Sequence, residues 1–169
     1  MSELTEFRRA KDDFLKGDHH SPLTDDQRPA FHGLSYYTER PDLRLLLDLE
    51  PFEAEETVEM QTSTGDVASY LRLGRASFQV DSEPAQLTIY KDTEGDDLFL
   101  PFADATSGDE TYGAGRYLDV KAAGGGQVLL DFNYAYNPYC AYNERWSCPI
   151  TPPENRIKVA IRAGEKSFK

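Results

Sequence analysis

The side chains best equipped for chemistry crowd into residues 99–166. That stretch holds both cysteines, Cys140 and Cys148, the only tryptophan, six of the ten tyrosines, and Asn133, Asn137, Asn143 and Asn155. Polar aromatics, amides and carboxylates at this density destabilise a fold unless they bond to one another or serve a site. Three segments stand out. In the first, Asp104, Thr106, Ser107, Asp109, Glu110 and Thr111 form an acidic, hydroxyl-rich loop after an apolar strand. Asp104 or Glu110 there has the chemistry of a general base. The same residues suit a turn whose side chains satisfy backbone N–H groups locally. In the second, Gly113 and Gly115 alternate with Tyr112, Ala114 and Arg116, followed by Tyr117. A Gly-x-Gly backbone can approach a phosphate or carboxylate, with Arg116 completing an anion clamp. The other reading is a glycine bend entering a strand. No dinucleotide fingerprint is present, because the third glycine is missing and a strand follows where a helix is required.

In the third segment, DFNYAYNPYCAYN, Asp131, Asn133, Asn137 and Asn143 are interleaved with Tyr134, Tyr136, Tyr139 and Tyr142. On one reading, amides and phenols line a pocket for a small polar or anionic molecule, with Cys140 as a nucleophile. The catalytic candidates are then Asp104, Asp131 and Cys140. The ligand-binding candidates are Thr111, Tyr112, Arg116, Asn133, Tyr136, Asn137 and Cys148. Such an enzyme would be a hydrolase or isomerase, with Asp104 or Asp131 as base and Arg116 holding an anionic group. On the alternative reading the chain is a non-catalytic protein–protein interaction domain, its tyrosine-rich loop being the contact surface. The C-x7-C spacing is wider than that of a zinc knuckle, and His19, His20 and His32 lie far off in sequence, so no metal site is assigned. A short-loop disulfide and two reduced, packed thiols are the remaining choices, and without a secretion signal thiols are the default. No cofactor motif is found.

The elements that must hold these residues are mostly short strands. Residues 4–16 carry apolar positions at helical spacing behind Ser2 as N-cap, with Gly17 placed to stop the helix. After Pro29 the pattern changes. Strands are expected near 32–37, 44–50, 56–62, 67–73, 76–80, 86–91, 97–100, 116–122, 127–132 and 157–162, punctuated by turn signals at 64–66, Gly74, 94–96 and 124–126. The fold class is therefore mainly β (α+β): an antiparallel barrel or sandwich of about eight to ten short strands, with the N-terminal helix packed on it. One domain spans 1–169, its β part covering about 31–166. If Lys121 opposes Gln127 across the glycine turn, Leu118 faces Leu130, Val120 faces Val128, and Arg116 and Phe132 end the same apolar face. Tyr117 and Asp131 pair on the other. Arg116 then points toward the core and needs an acidic partner or a bound anion. Glu165 is one candidate partner for Arg116 or Arg162.

The strings FHGLSYYTERPDLRL, PFADATSGDETYGAGRYLD, DFNYAYNPYCAYN and CPITPPENRIKVAIRAGEK resemble the bacterial and archaeal family called domain of unknown function 1684. The resemblance runs over nearly the whole chain and implies a complete family domain. It implies no activity.

The formal net charge of −12, from 30 Asp and Glu against 18 Lys and Arg, speaks against nucleic acid and against anionic membrane surfaces as partners. There is no 18-residue apolar run, and the charged N-terminus lacks a signal peptide's apolar centre, so a soluble, cytoplasmic protein is expected. Only seven of the cations are lysine. An Asp- and Glu-rich, Lys-poor surface fits a salt-loving archaeon, and it also fits an ordinary acidic protein.

Overall fold

A computed structural model describes residues 2–168. Seven strands form one antiparallel sheet, curled into a half-barrel, behind a single N-terminal helix. The helix α1 is Glu3–Gly17. The strands are β1 (Arg44–Asp48), β2 (Glu50–Gln61), β3 (Val67–Val80), β4 (Glu83–Asp92), β5 (Leu98–Phe102), β6 (Arg116–Gly124) and β7 (Gln127–Asp131). Their spatial order is β1-β7-β6-β5-β4-β3-β2. β1 and β2 are therefore consecutive in the chain yet lie at opposite edges of the sheet. The sheet curls until residue 49 can serve as the corner between those edges. There the Leu49 N–H donates to the Gly126 carbonyl at 2.9 Å. Across the corner a Cβ on Gly74 would stand 2.6 Å from the Glu50 carbonyl oxygen, so the close approach requires glycine.

Strand periodicity decides what the sheet buries. Ala85, Leu87 and Ile89 of β4 face Leu100, Phe102, Leu118 and Val120 in one core, closed from above by Phe132, Ala135, Val159, Ile161 and Ala163. A fully buried side chain of this type contributes about 1.5–3 kcal/mol. The other face of β4–β6 is covered by the segment after Cys148: the Tyr117 hydroxyl donates to the Pro149 carbonyl, and Asn155 bonds the backbone of Thr88. A second apolar cluster of Leu15, Leu23, Phe31 and Tyr142 anchors α1 to the tyrosine-rich loop. Ser2 caps α1 by accepting the Thr5 N–H at 3.1 Å.

Two expected strands are not strands. Residues 32–37 and 157–162 join no sheet: the first has one isolated bridge, Tyr36 with Glu165, and the second only follows one, Ala103 with Arg156. Side chains meet their backbone groups where a neighbouring strand would. The expected breaks within 67–80 and within 50–61 are also absent, being bulges in the continuous β3 and β2. The turn at 124–126 pairs Lys121 with Leu129 and Ala122 with Val128, a register two residues away from the expected one. The bulge next to Gly124 absorbs the difference. A shift of two preserves the faces, so Arg116 points to the core as parity requires.

Candidate functional site

The structure sorts the polar residues of 99–166 into four places. The first is internal. Arg116 and Asp104 are both buried, with Nη2 of Arg116 at 3.6 Å from Oδ2 of Asp104. The guanidinium donates to the carbonyls of Ile161, Ala163 and Glu165, and Oδ2 of Asp104 accepts the Ile161 N–H at 2.6 Å. The ion pair thus ties down the irregular C-terminal segment. Thr106 donates to Asp104 and shares a hydrogen bond with Thr111. Asn133 bonds both backbone groups of Arg40, with Asp131 capping its own N–H. Asn137 donates to the Lys166 carbonyl, and its N–H meets the carboxylate of Glu165, which is paired with Lys11 rather than with Arg116 or Arg162. Arg162 pairs with Glu110 instead. In this place the polar side chains bind backbone.

The second place is a surface hollow of about 370 Å³ lined by Asp131 and Tyr136 with Arg44, Asp119, Lys121 and Tyr134. Tyr136 donates to Asp119 at 2.9 Å. The five residues Asp104, Arg116, Asp131, Asn133 and Tyr136 therefore do not converge on one pocket.

The third place holds the thiols. Cys140, half-buried, sits in the middle of a short 3-10 turn, Tyr139–Ala141, and buried Cys148 follows eight residues later. Both are free, and the Cys140 N–H donates to Sγ of Cys148 at 3.3 Å. The Tyr112 hydroxyl lies 3.8 Å from Sγ of Cys140. The hydrogen bond from Cys148, with those from Tyr112 and Ser63, outweighs burial and brings the Cys140 thiol down to about 6. The same bond, reinforced by burial, pushes Cys148 up. Burial and the Cys140 contact raise Tyr112 to about 12, so it stays a donor.

The fourth place had no signature in the sequence. A cleft of about 560 Å³ opens on the outer face of the sheet, between β2–β4 and residues 150–154. Met60, Val58, Ile150, Pro152 and Pro153 give it an apolar wall, and Arg72, Tyr90, Thr151 and Glu154 give it fixed polar groups. Arg72 makes a two-pronged bond to Glu154, at 3.1 and 2.8 Å, and buried Tyr90 donates to the same carboxylate. These polar residues come from positions 72, 90, 151 and 154, so no local pattern announces them. Gln61, on the rim, accepts the Ile150 N–H, while Ser63 donates its N–H to the Cys148 carbonyl. The cleft and the thiols therefore share one stretch of wall. Gly115, at φ +107°, packs against this stretch: a Cβ there would stand 2.7 Å from Thr151 Oγ1 and 2.6 Å from the Phe102 carbonyl. The glycines of TYGAGRY thus serve a tight bend into β6.

Acid tests the Arg72–Glu154–Tyr90 knot. Burial pushes the Glu154 carboxyl upward, but the hydrogen bonds of Arg72 and Tyr90 outweigh it and hold the group below the usual carboxylate range. A depressed carboxylate stabilises the fold fully above its unfolded value, about 4.3, and that contribution is lost as pH falls through the lower folded value. The melting-temperature difference between wild type and Glu154→Gln is expected to be largest near neutrality and to close as pH falls from 5 toward 3. A difference that is flat with pH would show that the charge on Glu154 does not contribute.

Among the described residues, Asp18, His19 and His20 form the one close grouping of three metal-ligand types, in an exposed turn where Asp18 accepts the His20 N–H. Among the described residues, no helix is long and apolar enough to cross a membrane.

A family model described as Protein of unknown function (DUF1684) matches residues 29–166. The fold is also similar to the solution NMR structure of an uncharacterised protein of Haloarcula marismortui, from gene locus rrnAC0354. That likeness has 35% identity and a TM-score of 0.73, over 97% of this chain and 92% of that one. No curated protein matches.

Proposed function

This chain belongs to the DUF1684 family, and from its geometry we propose that it is a small-molecule-binding domain whose ligand occupies the cleft beneath residues 150–154. One observation carries the reading: the cleft joins a mostly apolar wall to a few polar groups whose positions are already fixed by mutual bonds. Ligand sites have that make-up, and about 560 Å³ lies within the range of metabolite pockets. A small polar molecule suits it. An anionic group would have Arg72 as its partner, in competition with Glu154 and with Glu56, both of which pair with that arginine. The protein–protein alternative draws less support, since Tyr142 is buried, Tyr136 is tied to Asp119, and of the four loop tyrosines only Tyr139 is exposed. A cytoplasmic setting in concentrated salt is part of the proposal, supported by the net charge of −12 and by the likeness to the Haloarcula protein.

The test is thermal denaturation of the whole chain, in low and in molar salt, against a panel of neutral, zwitterionic and anionic metabolites. A ligand at a hundred times its Kd stabilises by about 2.7 kcal/mol, which in a chain of this size raises Tm by roughly 5–10 °C. The rise should vanish in Ile150→Trp, which fills the cleft from an exposed position. No rise across the panel, or a rise that survives Ile150→Trp, would remove the cleft from consideration.

A further inference from the structure

We propose that Cys140 and Cys148 form a peroxide-reactive dithiol, with Cys140 as the attacking sulfur and Cys148 as the resolving one. This goes beyond the binding reading and does not depend on it.

The two residues occupy different environments and still touch. Cys140 is half-exposed, so an oxidant can reach it, whereas Cys148 is buried behind it. The contact is direct: the Cys140 N–H donates to the Cys148 sulfur at 3.3 Å. Tyr112, from the bend before β6, directs its hydroxyl at the Cys140 sulfur. A donor aimed at a sulfur favours its thiolate, the form that attacks. The intervening loop is held at its far side, where Asn143, Arg145 and Trp146 all donate to the Pro22 carbonyl. Closing a disulfide therefore requires motion of the two cysteines and not of the whole loop. Among the described residues no third His, Cys, Asp or Glu is grouped with this pair.

The chemistry balances in two steps. The Cys140 thiolate attacks one oxygen of hydrogen peroxide; the S–O bond forms, the O–O bond breaks, and the departing hydroxide takes a proton from solvent to leave as water. Cys140 is now a sulfenic acid. The Cys148 sulfur then attacks Cys140: the S–S bond forms, the S–O bond breaks, and hydroxide leaves with the Cys148 proton as water. The peroxide gains two electrons and the dithiol loses two. An external thiol reductant restores the pair.

The rate gain from a lowered thiol is smaller than the thiolate fraction suggests. At pH 7 a thiol at about 6 is almost fully ionised against about 3% for an ordinary one near 8.5, a roughly thirty-fold advantage. Its lower basicity takes back about ten-fold. A net factor of about two or three remains, so the pH profile discriminates better than the rate itself.

The experiment treats the purified whole chain with hydrogen peroxide and follows it by intact mass. Wild type should lose two hydrogens and keep the mass of a single chain, with the loss recovered by dithiothreitol. Cys148→Ser should stop at a Cys140 sulfenic acid that dimedone traps, and Cys140→Ser should remain unmodified. Alkylation of Cys140 by iodoacetamide should inflect near pH 6 in wild type and move toward 8.5 in Cys148→Ala. Melting curves of each variant confirm that it is folded. Direct over-oxidation of wild type to the sulfinic acid, disulfides formed only between chains, or a Cys140 inflection near 8.5 would each overturn the proposal.

Discussion

Arg116→Ala is expected to lower the melting midpoint by roughly 6–20 °C. The substitution leaves Asp104 as a buried carboxylate without its cation, and breaking a buried pair by removing one partner costs about 3–5 kcal/mol. In a chain of this size each kcal/mol moves Tm by about 2–4 °C. Carbonyls add to the loss. The chain turns at Gly164, where φ is +82°, and the carbonyls of Ile161, Ala163 and Glu165 all reach one guanidinium fork. Lysine keeps the charge but not the fork, and Arg116→Lys should fall between wild type and alanine. The double variant Arg116→Met, Asp104→Leu should be less damaged than the sum of its singles, because it removes both charges together. Urea denaturation of the four proteins measures this coupling. An Arg116→Ala cost below about 1 kcal/mol would show that the pair does not hold the C-terminal segment.

The same arginine shows how far the sequence reaches. Alternation in LDV and VLL around the glycine turn fixes which face each residue of β6 presents, and parity survives a register error of two. Arg116 facing inward, and its need for an acid, were therefore legible. Its partner was not: twelve residues and a turn-rich loop separate Asp104 from Arg116, and the candidate Glu165 gives Arg116 only its backbone carbonyl. The alternation of 157–162 is real, since Val159 and Ile161 enter the core. Alternation reports burial on one side, though, and not what bonds the backbone. Here Asp104 and Arg116 stand in for a strand, and a period-two pattern cannot tell side-chain partners from a ladder. The density of Asn and Tyr reads as demand for hydrogen-bond partners, and Asn133 and Thr111 find theirs inside the protein, Asn133 on the Arg40 backbone and Thr111 on Thr106. The cleft stayed hidden because it assembles from β2, β3, β4 and a loop some sixty residues further on.

Asn155→Ala is expected to cost about 3–4 kcal/mol and, with it, any response of the cleft to ligand. β4 and β5 pair only at Tyr90 with Phe99 and Lys91 with Leu98. Continued in that register, Thr88 would face Pro101, which has no N–H to donate. The fully buried Asn155 amide fills the gap: Oδ1 accepts the Thr88 N–H, and Nδ2 donates to the carbonyls of Thr88 and Pro101, each at 2.8 Å. Truncation leaves three buried backbone groups unmet, at about 1–3 kcal/mol for each that water cannot reach; partial relaxation makes the total less than the sum. Asn155 also follows Glu154 directly, so releasing it loosens the Arg72–Glu154–Tyr90 knot and the wall at 150–154 together. Hydrogen exchange separates the two effects. The Thr88 amide should lose protection in Asn155→Ala while the Leu118 amide, on β6 across the core, keeps most of its own. Asn155→Asp retains the acceptor for Thr88 but loses both donated bonds, and it should be no more stable than alanine because its charge is buried. If Asn155→Ala instead leaves Thr88 protected and the stability within 1 kcal/mol of wild type, then β4 and β5 are held without the wedge. The cleft wall must then be fixed from the thiol side, through Pro149 and Tyr117.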